Sequence, residues 1–160
     1  ESIMIIRSAI LSIGVAMIAG AASACPNYNL YGDTYELNGA DLYNPQSVSL
    51  QAGGNRSITG CGIRFGSDRG RGYVTEAPDF SIRLSGMQRY SISFSVRSQC
   101  DSILLINTGA ANWYYDDDDN GNYDAKITLT RPSNGWMDIW VGTHDGSVCD
   151  ATLTLETFYR

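Results

Sequence analysis

An acidic segment, NWYYDDDDNGNYDAKI at residues 112–127, holds the residues of this chain that are best suited to bind a metal ion. Four consecutive aspartates at 116–119 are followed by Asn-Gly-Asn and a further aspartate. Calcium prefers carboxylate and carbonyl oxygens as ligands. The order also matches the beginning of a D-x-D-x-N-G calcium loop, in which the glycine permits a sharp turn. The segment therefore predicts a structural calcium ion held by Asp116, Asp118, Asn120, Asn122 and Asp124.

The same segment departs from the calcium loop that lies between two helices. Ile127 stands at the twelfth position, where a bidentate glutamate would be needed, and no helical periodicity flanks the loop. Asn-Gly is also a strong signal for a β-hairpin turn. Adjacent carboxylates repel one another unless a cation or solvent screens them. Two interpretations stay open: a hairpin pinned by calcium and a solvated hairpin tip.

Aromatic residues cluster around the acidic segment and on a later stretch of the chain. Alternation along a strand would turn some of them outward, where aromatic rings stack on sugars or anchor a protein partner. Ordinary core and edge packing is the alternative interpretation. The cluster comprises Trp113, Tyr114, Tyr115, Trp136 and Trp140, and we predict ligand contacts for all of these except Tyr114.

Nucleophilic catalysis has few candidate residues in this sequence. His144 is the only histidine, and it lies in GTHDGS, which is typical of a surface turn. The segment GSDRG at 66–70 has its serine one place too early for a G-x-S-x-G motif. Sequence fixes no distance between two carboxylates that could hydrolyse a sugar. We predict a non-catalytic protein, with a small secreted hydrolase of the serine-peptidase type as the alternative.

Alternating apolar and polar residues run through the chain after residue 24. SISFSVR places Ile92, Phe94 and Val96 on one face, and DFSIRL, WMDIWV and ATLTLETF alternate in the same way. Clusters of Gly, Asn and Asp separate these runs. The pattern predicts an all-β fold, an antiparallel sandwich or barrel. We expect strands near 46–50, 57–65, 72–75, 79–84, 90–97, 102–107, 111–116, 124–130, 136–143 and 151–158.

Residues 1–24 have the pattern of a secretory signal peptide. Arg7 precedes an apolar stretch at 9–21, and ASA at 22–24 fits the small residues before a cleavage site. The apolar stretch is shorter than the ~20 residues of a membrane span. We expect a secreted or periplasmic product that starts at Cys25 and is not inserted in the membrane. The alternatives are an uncleaved anchor of an envelope or assembly subunit and a lipidated Cys25.

The four cysteines predict two disulfides, because an even number in an exported chain of this size is typical of a disulfide framework. Three pairings are possible. We favour Cys25–Cys61 and Cys100–Cys149, since the first pair would tie down the N-terminus. The chain has no C-x-x-C spacing that would favour zinc.

The net charge of the chain argues against some classes of binding partner. The chain has 17 acidic and 11 basic residues, a net charge of −6. Such a chain repels phosphate, which argues against nucleic acid and anionic lipid. We expect a single domain at 25–160, with a glycan or an envelope protein as its partner.

The last part of the chain, residues 100–160, resembles the bacterial pre-peptidase C-terminal domain. The resemblance rests on DSILLI, the aromatic and acidic turn, and the strand GWMDIWVGT with its closing strand ATLTLETF. His144 stands where that family commonly has an aromatic residue. The resemblance implies a jelly-roll-like β-sandwich, often stabilised by calcium. It also implies an accessory or binding role rather than catalysis.

Overall fold

The computed structural model describes residues 25–66 and 69–160, and the predicted signal peptide at 1–24 lies outside them. Within these ranges, no helix has the length and hydropathy of a membrane span. The described residues form two short 3-10 helices (Asp41–Tyr43 and Met87–Arg89) and eleven strands. The strands are β1 (Asp33–Asn38), β2 (Gln46–Ala52), β3 (Arg56–Ser57), β4 (Tyr73–Val74), β5 (Phe80–Ser85), β6 (Tyr90–Ser98), β7 (Ser102–Thr108), β8 (Trp113–Asp116), β9 (Lys126–Leu129), β10 (Gly135–Thr143) and β11 (Cys149–Tyr159).

The strands form two sheets, which pack face to face. In the first sheet β10 pairs with β5 and β4 on one side and with β7 on the other. The outermost strands are β1 beside β5, β3 beside β4, and β8 beside β7. The second sheet has the order β2-β11-β6-β9. An all-β sandwich is therefore confirmed. The edge strands β8 and β9 come from different sheets, and the acidic segment connects them along the chain.

The main core lies between the two sheets. Ile92, Phe94 and Val96 of β6 are fully buried, as the alternation of SISFSVR predicts. Burial of each such side chain stabilises the fold by about 1.5–3 kcal/mol. The inward faces predicted for the other strands are confirmed as well, since the same core contains Phe80, Ile82, Leu84, Met137, Ile139, Val141, Leu153 and Leu155.

A second, smaller core covers the outer face of the first sheet. Ile103 and Leu105 of β7 belong to it, whereas their neighbours Leu104 and Ile106 face the main core. The rest of this second core consists of Ile58, Val74, Tyr115 and Trp140, with Phe65 and Trp113 packed against it. The first sheet is thus buried on both faces near its centre.

Both favoured disulfides are confirmed. Cys25 is bonded to Cys61, which ties the first described residue to the segment that covers the second core. Cys100 is bonded to Cys149, which joins the β6–β7 connection to the start of β11. A loop of this length closed by a disulfide stabilises the folded state by about 3–4 kcal/mol through the unfolded chain.

One strand pairing departs from the predicted antiparallel arrangement. β1, for which the sequence predicts no strand, runs parallel to β5. Its residues DTYELN are mostly exposed, and the alternation is limited to two apolar residues, Tyr35 and Leu37, which is a weak signal for a strand. β1 and β5 are not consecutive strands, and without a hairpin turn between them the pairing direction is unconstrained.

The predicted strand at 57–65 is wrong. β3 contains only two residues, Arg56 and Ser57. Gly60 and Gly62 follow with φ angles of 82° and 69°, a left-handed conformation that strands do not adopt. The chain therefore leaves the sheet here and crosses the second core as an irregular segment.

Candidate functional site

Asp116 holds the acidic turn in shape. It is the last residue of β8 and is buried. Its Oδ2 atom accepts hydrogen bonds from the backbone N–H of Asp119 at 3.1 Å and of Lys126 at 2.8 Å. Burial raises the pKa of Asp116, with repulsion from Asp119 and Asp117 adding to the shift and the two backbone bonds opposing it. The carboxyl group of Asp116 therefore stabilises the turn through its two hydrogen bonds.

Asp124 fixes the other end of the turn. Its side chain is 2% exposed, and its Oδ1 atom accepts hydrogen bonds from the N–H and Oγ of Ser98, both at 2.9 Å. The Oγ of Ser102 donates to the same atom at 3.2 Å. These donors occupy one carboxylate oxygen of Asp124. Through these hydrogen bonds, the side chain of Asp124 connects the turn to strands β6 and β7.

The remaining predicted ligands belong to the tip of the turn. Asn120 donates its Nδ2 to the carbonyl of Val96 at 2.5 Å, so its side chain points toward β6. Asn122 has a φ angle of 56°, in the left-handed region that asparagine tolerates. Asn122 is also exposed. Neither side chain belongs to the cluster of carboxylates described next.

Three consecutive carboxylates converge at the start of the turn. Oxygen atoms of Asp116, Asp117 and Asp118 all lie within 4.8 Å of one another. Asp116 and Asp118 are among the residues predicted from the sequence, but Asp117 is not. Strand alternation would turn Asp117 to the opposite face. The strand ends at Asp116, however, and the turn that follows rotates the next side chains toward the same point.

Two of the aromatic residues predicted to bind a ligand are buried. Trp140 is 0% exposed and stacks on Trp113 with ring centroids 5.6 Å apart. Tyr115 is 7% exposed, and its hydroxyl lies 3.0 Å from the carbonyl oxygen of Arg71. The prediction of exposed binding surfaces is wrong for Trp140 and Tyr115, because the second core covers that face of the sheet. Trp113 is half-buried, with the edge of Tyr28 against it.

Trp136, another of the predicted aromatic residues, lines an open cleft. It is 40% exposed, and Tyr114 on β8, also exposed, lines the same cleft. The cleft has a volume of about 550 Å³. It lies between the edge strands β8 and β9, beside the loops at 109–112 and 130–134.

Backbone hydrogen bonds hold the walls of the cleft. The N–H of Gly109 donates to the carbonyl of Trp136 at 2.8 Å, which fixes the β7–β8 turn against β10. In the loop at 130–134, the side-chain Oδ1 of Asn134 accepts a hydrogen bond from the backbone N–H of Met87 at 3.0 Å. The loops are thus attached to the sandwich, and the cleft does not depend on a ligand for its shape.

The polar lining of the cleft comes from residues for which the sequence predicts no role. Asn112, Asn134, Thr128 and Ser133 offer amide and hydroxyl groups, and Arg131 offers a guanidinium. Their positions in the sequence carry no periodic signal. Only the approach of two edge strands from different sheets brings them together.

His144 lies on the surface of the protein. It is exposed in the turn after β10, next to Asp145. Its backbone N–H donates to the carbonyl of Asp101 at 2.9 Å. Within the described part of the chain, no serine, threonine or cysteine side chain is hydrogen-bonded to its ring. A Ser-His-Asp arrangement requires that bond.

Two solved structures resemble the fold of this chain at low identity. One is PliG of Aeromonas hydrophila, a periplasmic lysozyme inhibitor of g-type lysozyme, with 9% identity and a TM-score of 0.46 over 80% of this chain and 98% of that one. The other is the pre-peptidase C-terminal domain of a collagenase from Bacillus anthracis, with 11% identity and a TM-score of 0.42 over 78% of this chain and 96% of that one. No family model matches the chain, and no curated protein matches it significantly. These likenesses concern fold and assign neither a family nor an activity.

Proposed function

We propose that this chain is an exported, non-catalytic binding module that holds a glycan in the cleft between β8 and β9. The proposal rests on one observation: Trp136 and Tyr114 are both exposed in a pre-formed cleft whose other walls are mostly polar. Aromatic rings stack on the apolar faces of sugars, and neighbouring amides and hydroxyls bind sugar hydroxyl groups. A volume of about 550 Å³ lies within the range of small-ligand sites.

The chemistry of the lining supports binding without turnover. Among the described residues, those that line the cleft include no aspartate, glutamate, histidine or cysteine. Hydrolysis of a glycosidic bond requires two carboxylates beside the bond. Acyl transfer requires a nucleophile with an adjacent base. The cleft thus offers groups that recognise a ligand and no pair of groups that would transform it.

The two disulfides support export. Such bonds persist in the periplasm and outside the cell and are rare in the cytosol. Both close long loops in this chain, with sequence separations of 36 and 49 between the paired cysteines. The proposal places the protein in the periplasm or outside the cell.

Replacing Trp136 by alanine tests the site. We expect at least about tenfold weaker binding to the oligosaccharide that the protein prefers in a glycan panel, since an aromatic anchor contributes about 1.4 kcal/mol or more. Isothermal titration measures the loss. The control is Tyr123→Ala, which removes a 71% exposed tyrosine from the acidic turn, outside the cleft. Equal affinities of wild-type and Trp136→Ala protein would contradict the proposed site, and a panel with no binding would contradict the proposed function.

The proposal also includes a structural calcium ion at the acidic turn. The converging oxygens of Asp116, Asp117 and Asp118 are the hard ligands that calcium takes, with carbonyls or water completing the six to eight positions. The two backbone bonds to Asp116 occupy one oxygen and leave the other for an ion. The turn follows the end of β8, while the cleft lies at its start, so the ion would stabilise the turn rather than contact the glycan.

Added calcium is expected to raise the melting temperature. At a calcium concentration of about 100 times Kd the stabilisation is about 2.7 kcal/mol, or on the order of 5–10 °C for a domain of this size. Differential scanning calorimetry with calcium, and then with a chelator, measures the shift. Asp118→Asn should reduce it, whereas Asp119→Asn, the same charge change one residue later, should reduce it less. No shift at millimolar calcium would leave the segment as a solvated hairpin tip.

A further inference from the structure

The charge of the cleft is opposite in sign to the charge of the chain. Acidic residues outnumber basic ones by 17 to 11 over the whole sequence, yet none of the described residues that line the cleft carries a carboxylate. Arg131 is the one charged residue among its lining side chains in the described part of the protein. The proposed glycan site therefore carries a local positive charge on a protein whose net charge is negative.

Arg131 is available to a ligand. It is exposed in the loop that follows β9. In the described ranges, ion pairs join Arg56 to Glu76 and Arg83 to Glu36, and neither of them involves Arg131. Its guanidinium therefore carries a positive charge that no carboxylate of the described chain neutralises by direct contact.

We infer, on the basis of the proposed function, that the glycan is an acidic saccharide whose uronate carboxylate pairs with Arg131 while its ring stacks on Trp136. A guanidinium presents paired N–H donors that match the two oxygens of a carboxylate. A net charge of −6 disfavours anions at long range. An anionic ligand therefore needs a local cation, and within this cleft Arg131 is that cation.

The ion pair between Arg131 and the uronate carboxylate contributes more to selectivity than to affinity. Exposed ion pairs contribute little, because water and salt screen both charges. Bidentate geometry and the cleft walls strengthen the pair, so we expect an acidic saccharide to bind about five- to tenfold more tightly than its neutral equivalent. Stacking on Trp136 is common to both ligands and does not distinguish them.

Matched ligands test the inference. The probes are tetramers of galacturonate, glucuronate and mannuronate, each compared with its full methyl ester, which keeps the sugar ring and removes the charge. Isothermal titration at low salt should show that the acid of at least one pair binds more tightly than its ester. Arg131→Gln should lower the affinity of the acid to that of its ester and leave the affinity of the ester unchanged, and Arg131→Lys should retain part of the preference. Arg131 is exposed, so we expect all variants to keep the wild-type melting temperature.

The outcomes separate the inference from the proposed function. If acids and esters bind equally to the wild type, and Arg131→Gln changes neither affinity, the cleft binds neutral sugar and the inference is overturned alone. If Trp136→Ala protein and wild-type protein fail alike to bind every acid and ester, both are overturned. Tetraglutamate is the third probe. If it binds as tightly as the uronates and with the same dependence on Arg131, the ligand class is an acidic peptide and not a saccharide.

Discussion

Replacing Asp79 by asparagine is expected to raise the free energy of unfolding at pH 8 by roughly 2–4 kcal/mol and to have little effect at pH 4. Asp79 precedes β5 and is partly buried. Its Oδ2 atom accepts a hydrogen bond from the N–H of Val141 at 2.7 Å. Burial raises the pKa of this carboxyl from 3.8 to about 7; the Val141 bond opposes the shift, and repulsion from Asp33 adds to it.

The direction of the pH effect follows from the two pKa values of Asp79. The folded protein holds the proton on Asp79 more tightly than the unfolded chain, whose carboxyl has the ordinary pKa of 3.8. The stability that this proton contributes is fully present below pH 3.8 and is lost as the pH rises toward 7. Asparagine is neutral at every pH and keeps an oxygen for the N–H of Val141. The Asp79→Asn variant therefore does not lose this stability as the pH rises.

Urea unfolding of wild-type and Asp79→Asn protein at pH 4, 6 and 8 measures the difference. The gap between the two should widen as the pH rises. Asp41→Asn is the control, because Asp41 is exposed and such surface changes alter stability by about 0.5 kcal/mol or less. A gap that is the same at pH 4 and pH 8 would show that Asp79 does not hold a proton in the folded state at neutral pH.

The sequence predicts the sandwich well wherever a strand has one buried face. The alternation of β6 and β11 reports directly which residues point inward, because their other face is polar. Alternation fails for the first sheet. Trp140 and Tyr115 lie on the polar side of their strands by pattern, yet the second core buries them. The continuous apolar run Ile103-Leu104-Leu105-Ile106 is the signal of a strand that is buried on both faces.

The candidate site is less predictable for a physical reason. Trp136 on β10 and Tyr114 on β8 belong to the first sheet, whereas Thr128 lies on β9 of the second sheet and Arg131 in the loop that follows β9. Their meeting depends on how two edge strands approach each other, and no local pattern encodes that distance. The acidic turn shows the same limit. Spacing alone groups Asp124 with the predicted metal ligands, and it does not show that Oδ1 of its carboxylate accepts hydrogen bonds from Ser98 and Ser102.

Removing the carboxylate of Asp124 is expected to destabilise the protein strongly. Asp124→Ala deletes the acceptor of three hydrogen bonds, which come from the N–H and hydroxyl of Ser98 and the hydroxyl of Ser102. The Ser98 hydroxyl keeps the carbonyl of Cys100 as an acceptor at 2.7 Å, so the N–H of Ser98 and the buried hydroxyl of Ser102 are the donors that lose this partner. Hydrogen bonds to a charged group contribute about 1.5–3 kcal/mol each, and unsatisfied buried donors add a cost. We expect the free energy of unfolding to fall by about 3–5 kcal/mol, measured by urea unfolding.

The calcium dependence of the stability loss shows whether Asp124 stabilises the turn through hydrogen bonds or as a metal ligand. The comparison uses Asp118→Ala. If Asp124 acts through Ser98 and Ser102, the loss in Asp124→Ala should be as large in chelator as in calcium, because the hydrogen bonds exist without an ion. Asp118→Ala is the matched control: Asp118 is exposed, so its loss in chelator should be about 0.5 kcal/mol or less. A loss in Asp124→Ala that appears only when calcium is present would instead make Asp124 a ligand, because the destabilisation would then equal the binding energy of the missing ion.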